Sequence, residues 1–482
     1  MKLPAHKTKI VATIGPASRS PEMLRRLIRA GMNVARLNFS HADFDEHGEN
    51  IRRIRDAARE VGGRVAIMAD LPGPKMRLGE LPEGPYELEI GDPFTLVGEE
   101  CNGDARRAST TFERLPDVVK KGDRIFLNDG LVQLIVDGVS GRNVRTTVAV
   151  GGKISSRKGL NLPRIALGID AFTPRDHECM EFALKHGVDA ISQSFVESAD
   201  DIRKVRRAAA ALGYNPFVIA KIERQEAVDR YEGILQAADG IMVARGDLGV
   251  EVPIEGMAPT QKRLIAAANM LGKPVITATQ MLESMIVSRL PTRAEATDVA
   301  NAILDGTDCV MLSGESAMGA YPEESVAMLG RIAAAAERYR HEAGLHVSWK
   351  QSGAGKVSPR AFVVENALAM TRAEAVLVPT RSGKTARSVA RWRSPAWVLA
   401  VGTDPVAMQT LAFSHGVHPI DITDEPQNWN AFAAETTARL GMRARTVLLV
   451  AGPSRHNPNS NHRIELIELQ PGTLSGAKDG IA

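Results

Sequence analysis

Short apolar runs alternate with amphipathic stretches along most of the chain. Runs at residues 9–14, 32–38, 64–70, 189–195, 217–223, 240–245, 274–279 and 309–313 each end in polar residues. A run without polar alternation marks a strand covered on both faces, as in a parallel sheet. Segments 21–30, 45–60, 174–186, 200–212, 259–271 and 293–304 carry helical spacing. Alternating strand–helix units in this number predict an α/β fold, a (β/α)8 barrel rather than an open sheet.

The texture changes after the third run. Residues 72–168 are rich in Gly and Pro, with turn pairs at Asp92-Pro93, Asn102-Gly103, Asp129-Gly130 and Asp137-Gly138. Residues 131–136 and 143–150 predict paired strands. This reads as a small β domain inserted in a barrel loop, over the active-site face, where it can serve as a lid. Beyond the eighth unit, 323–342 is a long Ala-rich helix and 341–357 reads as a linker containing Gly353 and Gly355. Strands at 375–379, 396–401 and 446–450, with helices at 359–370, 385–391 and 429–440, predict a second, smaller α/β unit. The expected division is 1–71 and 169–345 for the barrel, 72–168 for the inserted lid and 346–482 for the C-terminal domain.

Composition narrows the class. The 482 residues are 44% hydrophobic and 24% charged, enough for a large core, which excludes a disordered or disulfide-stapled chain. A net charge of +3 gives no reason to expect nucleic-acid binding. Cys101, Cys179 and Cys309 are widely separated and form no CxxC, which points to a reduced, cytoplasmic compartment. The N-terminus lacks the apolar stretch of a signal peptide, and no run is long enough to span a membrane.

Polar residues at the run ends carry the candidate chemistry. Arg36, Asn38 and Ser40 are two apart and share one side of a strand, suited to an anion and a cation together. The plainer alternative is a polar strand end satisfied by loop backbone. Lys221 and Glu223 also share a face, and a buried strand tolerates such residues only when they are paired or liganded. Asp247, read as part of the next strand, would lie beside Glu223, and two carboxylates there suit Mg²⁺. The alternative is a Lys221–Glu223 or Arg245–Asp247 ion pair without metal. Thr279, Ser313 and Glu315 close the last two barrel runs, where hydroxyls either handle a proton or anion or cap helices. Ser382-Gly383-Lys384-Thr385 resembles the end of a Walker A loop, but Val378 stands where that motif needs Gly. Thr380, Ser382 and the amides at that helix start remain candidates for holding a phosphate, or for ordinary capping. No GxGxxG occurs, and the histidines show no HxxxH or HExxH spacing.

Several segments together resemble the pyruvate kinase family along nearly the whole chain. They are residues 8–17, 31–41, Asp129-Gly130-Leu131, 158–163, Lys221-Ile222-Glu223, 239–250, 278–285, 291–295 and 311–316. The resemblance implies phosphoryl transfer from phosphoenolpyruvate to ADP, giving pyruvate and ATP. It also implies a barrel with an inserted β lid, a C-terminal regulatory domain and a homotetramer. Glu223 and Asp247 would bind Mg²⁺ or Mn²⁺. Lys221 would stabilise charge on the moving phosphoryl group, and Arg36 would contact the substrate phosphate. The amides of Gly246 and Asp247, with Thr279, would hold the substrate carboxylate. Thr279, with Ser313 and Glu315, would relay a proton. Asn38, His41, Arg77 and Arg175 would face the nucleotide. Asn38, Ser40, Asp70 and the Leu71 carbonyl match the family's K⁺ pocket. Thr380, Arg381, Ser382, Gly383, Lys384 and Thr385 would hold a phosphorylated effector.

The chain departs from the family's usual residues at Glu197, Arg224 and Arg175, and at Lys75, where Glu is frequent. Lys75 brings an ammonium near Asp70, so K⁺ is expected to be dispensable, with neighbouring anions favouring the charged form. Two other readings compete: another barrel enzyme acting on phosphoenolpyruvate or pyruvate, and a catalytically weak sensor of a phosphorylated metabolite. The ADP-facing lid and Arg77 argue against the first, and the retained Lys221, Glu223, Asp247 and Thr279 argue against the second.

Overall fold

A computed structural model describes residues 2–128, 130–165, 167–344, 359–453 and 459–469. Eight parallel strands close into a barrel. They are β1 (Lys9–Thr13), β2 (Met32–Asn38), β3 (Ala66–Asp70), β4 (Ala190–Gln193), β5 (Phe217–Ile222), β6 (Gly240–Ala244), β7 (Val275–Ala278) and β8 (Cys309–Leu312). Each pairs with the next in sequence, and β8 returns to β1. Alternation sends Val11, Val34, Met68, Ile219, Met242, Ile276 and Met311 inward, while Ile10, Ala12, Ile67 and Ile241 pack under the surrounding helices. That double burial is why the runs read as continuous apolar stretches. Helices start at capped positions such as Ser20, and Thr173 and Thr292 form capping boxes with Asp176 and Glu295.

Between β3 and β4 the chain leaves the barrel and builds a second core around Phe94, Leu96, Ile125, Leu134 and Val144. The paired strands expected there are Val132–Ser140 and Asn143–Val150. They sit in a six-stranded sheet whose other strands, such as Pro93–Val97 and Arg124–Leu127, are short and half-exposed. Asp129 lies outside the described residues.

Among the described residues the C-terminal domain holds five strands where three were expected. They are β9 (Ala375–Pro379), β10 (Trp397–Gly402), β11 (Val417–Asp421), β12 (Thr446–Ala451) and β13 (Arg463–Glu468), in spatial order β11-β10-β9-β12-β13. Two escaped the sequence reading for physical reasons. Pro419 interrupts β11, and the antiparallel β13 is an edge strand carrying Arg463, Glu465 and Glu468. Of the expected linker, residues 341–344 finish a helix, Pro322–Glu342, and the turn after it, and 345–357 fall outside the described residues. This domain docks on the N-terminal end of the barrel. Phe413 stacks on Phe217 at 5.6 Å between ring centres and closes the barrel interior. The Lys9 ammonium donates to the Val417 carbonyl at 2.8 Å. No helix among the described residues is long and apolar enough to cross a membrane.

Candidate active site

The alternation that sends Val11, Val34, Met68, Ala190 and Ile219 inward carries on to the C-terminal strand ends. There it aims Thr13, Arg36, Asp70, Ser192, Ser194, Lys221 and Glu223 at the barrel mouth. Arg36 donates through Nε and Nη2 to Asp70 Oδ2 at 2.8 and 2.5 Å, and through Nη1 to Thr13 Oγ1 at 2.9 Å. Lys221 Nζ lies 3.3 Å from Asp70 Oδ1 and 2.7 Å from Glu223 Oε1, and donates to Ser194 Oγ at 2.7 Å. Ser192 donates to Asp70 Oδ1, and the Phe195 amide donates to Glu223 Oε2 at 2.8 Å.

Two cations and two carboxylates therefore form one buried chain with no net charge. Asp70 and Glu223 are 1% exposed and Lys221 is 8% exposed. Burial at that depth requires such pairing. Burial opposes the Asp70 charge, but Lys221 and Arg36 outweigh it and hold the carboxyl well below the usual carboxylate range. Burial likewise opposes the Lys221 charge, and Asp70 and Glu223 overcome it, raising the ammonium above its ordinary value. The Lys221–Glu223 ion pair weighed from the sequence is thus present.

Asp247 is not on a strand as read from the sequence. β6 ends at Ala244, and Asp247 falls in the first turn of a short helix, Arg245–Glu251. Arg245 pins that turn with an ion pair to Asp298 at 2.6 Å and a bond to the Thr279 carbonyl at 2.8 Å. The Gly246 amide donates to Thr279 Oγ1 at 2.7 Å, and that hydroxyl donates to the Ala278 carbonyl at 2.6 Å. Thr279 and Gln280 both take left-handed φ values, +67° and +51°. Such backbone strain in non-glycine residues gathers at sites where a side chain must be aimed. Ser313 and Leu282 each give a backbone amide to the Glu315 carboxylate, at 2.7 and 3.1 Å. Glu315 therefore ties the β8 end to the loop after β7, and its two oxygens act as backbone acceptors.

A basic rim flanks the chain of ion pairs. Burial, and then Lys75, Arg77 and Arg36, push the His41 imidazole below its ordinary pKa. Arg77 also reaches the Arg157 carbonyl within the lid, at 3.0 Å. Lys75 is exposed to the cleft beside Asp70, Asp247 and Glu223. Asp70, Asp247 and Glu223 favour its charged form, as expected from the sequence. The surrounding protein and Lys221 lower its pKa by more than those carboxylates raise it. Arg175 is not joined to this group by hydrogen bond or ion pair. It pairs with Glu178 at 2.8 Å and lies 4.5 Å over the Phe44 ring.

The atoms matched to a K⁺ pocket have protein partners. Asn38 Oδ1 accepts the Ser40 amide at 3.2 Å, the Leu71 carbonyl accepts the Ser194 hydroxyl at 2.7 Å, and Asp70 is held as above. For a divalent cation, no group of three or more His, Cys, Asp or Glu side chains forms a ligand cluster among the described residues. Glu223 and Asp247 offer hard oxygens from adjacent barrel segments, a donor set that fits Mg²⁺ when waters and substrate oxygens complete the shell.

Residues 380–385 lie in the other domain, between β9 and a helix, Lys384–Ala390. The Gly383 amide, expected to be free, donates to Thr380 Oγ1 at 3.0 Å, while Arg381, Ser382, Lys384 and Thr385 are exposed. Thr13, Ser192, Ser194 and the Arg245–Asp298 pair were missed. The one available signal was two serines flanking Gln193 at the end of an apolar run. The unusual residues Glu197 and Arg224 face each other at 3.3 Å, so one departure compensates the other. Arg224 also reaches Glu226 at 3.3 Å and the Ile165 carbonyl, where the lid returns, at 3.1 Å.

Comparisons with known proteins agree with this architecture. Residues 5–326 match the family model described as pyruvate kinase, barrel domain, and residues 361–462 match pyruvate kinase, alpha/beta domain. A pyruvate kinase of Thermococcus litoralis is 48% identical over 426 residues, covering 87% of this chain and 89% of the relative. One from Geobacillus stearothermophilus is 44% identical over 428 residues, covering 87% and 73%. The crystal structure of a pyruvate kinase from Cryptosporidium parvum superposes with a TM-score of 0.88 at 33% identity, covering 96% of each chain.

Proposed function

The chain belongs to the pyruvate kinase family of phosphotransferases, and from that premise we propose that the buried chain Arg36–Asp70–Lys221–Glu223 is its phosphoryl-transfer centre. The observation that carries this reading is Lys221, held between two carboxylates and Ser194 at the barrel mouth. An ammonium fixed in advance there meets charge on the phosphoryl group of phosphoenolpyruvate without reorganising during transfer. Arg36 is held by Asp70 and Thr13 so that its guanidinium faces the same space and binds the substrate phosphate. Glu223 and Asp247 would hold Mg²⁺, which when bound would neutralise negative charge on the phosphoryl oxygens. The strained Thr279 places its hydroxyl beside the Gly246 amide, where the pair receives the substrate carboxylate, and the same hydroxyl is positioned to pass a proton toward the enolate. Glu315 acts on that step by holding Ser313 and the loop after β7.

On the nucleotide side, His41, Arg77 and Lys75 supply positive charge to the phosphates of ADP. Lys75 also takes the place of a monovalent cation, a reading supported by the protein partners of Asn38, Asp70 and the Leu71 carbonyl. The exposed loop 380–385 is the proposed seat of a phosphorylated effector, and the family resemblance supports a homotetramer. The test is a coupled assay for pyruvate and ATP with Mg²⁺ titrated. Asp247→Asn is expected to raise the Mg²⁺ needed for half-maximal rate by about tenfold or more, a loss of roughly 1.4 kcal/mol in metal binding. An unchanged Mg²⁺ dependence would remove Asp247 from the metal site.

A further inference from the structure

Alternation at the end of β5 turns Glu223 toward the barrel mouth and the next side chain, Arg224, away from it. Arg224 is 2% exposed, and a guanidinium at that depth requires partners. It finds them on three separate elements, one for each nitrogen. Nη2 donates to the Ile165 carbonyl, where the lid returns, at 3.1 Å. Nη1 lies 3.3 Å from Glu197 in the loop after β4, and Nε lies 3.3 Å from Glu226 in the helix Gln225–Asp229. The loop after β4 thus grips two consecutive residues. Its Phe195 amide holds the Glu223 carboxylate at 2.8 Å, and its Glu197 holds Arg224.

The short helix that carries Asp247 closes the same joint. Its last residue, Glu251, is 7% exposed. The Glu251 carboxyl faces Arg224, Glu226 and the backbone N–H groups of Gln225 and of Arg164 in the lid. The lid return, the loop after β4, the segment following Glu223 and the Asp247 helix therefore meet around one guanidinium. A planar fork with fixed donor directions sets the spacing of three elements at once, which a single ammonium on a flexible stem cannot do.

Taking Glu223 and Asp247 as the metal-binding pair, we propose that Arg224 is a positioning residue for phosphoryl transfer. It ties the lid return to the segments bearing both carboxylates, so that the stance of the lid and the aim of Glu223 are set together. A lid tied in this way keeps water from the space above those carboxylates. Arg224 points away from the mouth and acts through Ile165 and Glu223.

The test compares the wild type with Arg224→Gln, Arg224→Lys and Ile54→Ala, a stability control buried in the helix Phe44–Val61. Hydrogen–deuterium exchange of the free full chain reads the tie at amides 158–165. Exchange there is expected to quicken by about tenfold in Arg224→Gln and to stay at the wild-type rate in Ile54→Ala. In steady-state assays Arg224→Gln is expected to lose about tenfold or more in kcat, with KM for phosphoenolpyruvate within about threefold. Arg224→Lys keeps the charge but offers one donor point in place of three. It is expected to show both changes at about threefold or more, and it carries the test where Arg224→Gln does not fold. Unchanged exchange at 158–165 in both Arg224 variants would overturn the proposal. So would an Arg224→Lys enzyme that matches the wild type in both readings, which would reduce the role to charge balance. Equal losses in Ile54→Ala at an equal drop in Tm would reduce it to stability and overturn it too. The exchange measurement uses no metal and no substrate, so it fails only with the tie, whereas an unchanged Mg²⁺ dependence in Asp247→Asn fails the metal reading.

Discussion

Lys221 touches two carboxylates and a hydroxyl, so replacing it removes both the proposed transition-state contact and the partner of buried charge. Lys221→Met is expected to lower kcat by at least about 10²–10³-fold, the scale of a preorganised donor, while leaving phosphoenolpyruvate binding within several fold. Stopped-turnover kinetics and direct ligand titration separate the two effects, and a variant keeping more than about a tenth of kcat would contradict the assignment. Glu251 offers a second reading at this scale. Burial pushes its carboxyl up to about 7, Arg224 draws it down, and Glu226 pushes it further up. A carboxyl raised on folding contributes stability in full below its ordinary pKa, and the contribution is lost as pH rises through about 7. From pH 5 to 8 the wild type is expected to lose stability relative to Glu251→Gln, by at most on the order of 3 kcal/mol. Parallel stability curves would exclude this. Lys221 and Glu223 were legible because a charge inside an apolar run demands a partner. Ser192 and Ser194 were not, since serine in a strand carries no such demand, and the Glu197–Arg224 compensation appears only once the fold brings the two together.

At the level of elements, the turn that leaves β3 for the lid fixes the geometry of β4. Gly73 has φ +64°, and a Cβ there would stand 2.8 Å from the Phe195 ring and 3.0 Å from Ser194 Cβ. Ser194 holds both Lys221 and the Leu71 carbonyl. Gly73→Ala is therefore expected to cost about 1–3 kcal/mol in backbone strain and crowding. It should also lower kcat by about tenfold or more through displaced Ser194 and Lys221. Calorimetry with steady-state kinetics checks both, and a destabilised enzyme with unchanged kcat would detach the turn from the site. Loop 380–385 yields a separate expectation. Screening sugar phosphates and nucleotides should find an effector whose action is lost in Ser382→Asp, with coupling of about 1–3 kcal/mol. Hyperbolic kinetics unaffected by the whole panel would remove the effector site. The barrel strands could be read because both faces are buried. Most lid strands could not, because they are short, half-exposed and broken by Gly and Pro. The Asp247 helix was hidden because its Gly-rich first turn continues an apolar strand without a break.

For the whole molecule, positive charge is concentrated at both ends of the barrel. Arg36, Lys221, His41, Arg77 and Lys75 gather at the barrel mouth, and arginines from the C-terminal domain gather at its base. Chain order alone was enough to foresee the barrel, the insertion and the second α/β unit. The seam between the barrel and the C-terminal domain was beyond reach, because Phe413, Arg391 and Arg393 meet their barrel partners only across long stretches of sequence, 85 positions for Arg393 and Asp308. The proposal that Lys75 serves in place of a monovalent cation is open to one direct measurement. The deciding measurement is kcat in tetramethylammonium buffer with saturating Mg²⁺, with and without KCl at constant ionic strength. The predicted result is a kcat that changes by less than about threefold, with Lys75→Glu acquiring a K⁺ requirement. A loss of about tenfold or more in the wild type without K⁺, roughly 1.4 kcal/mol in the barrier, would contradict it.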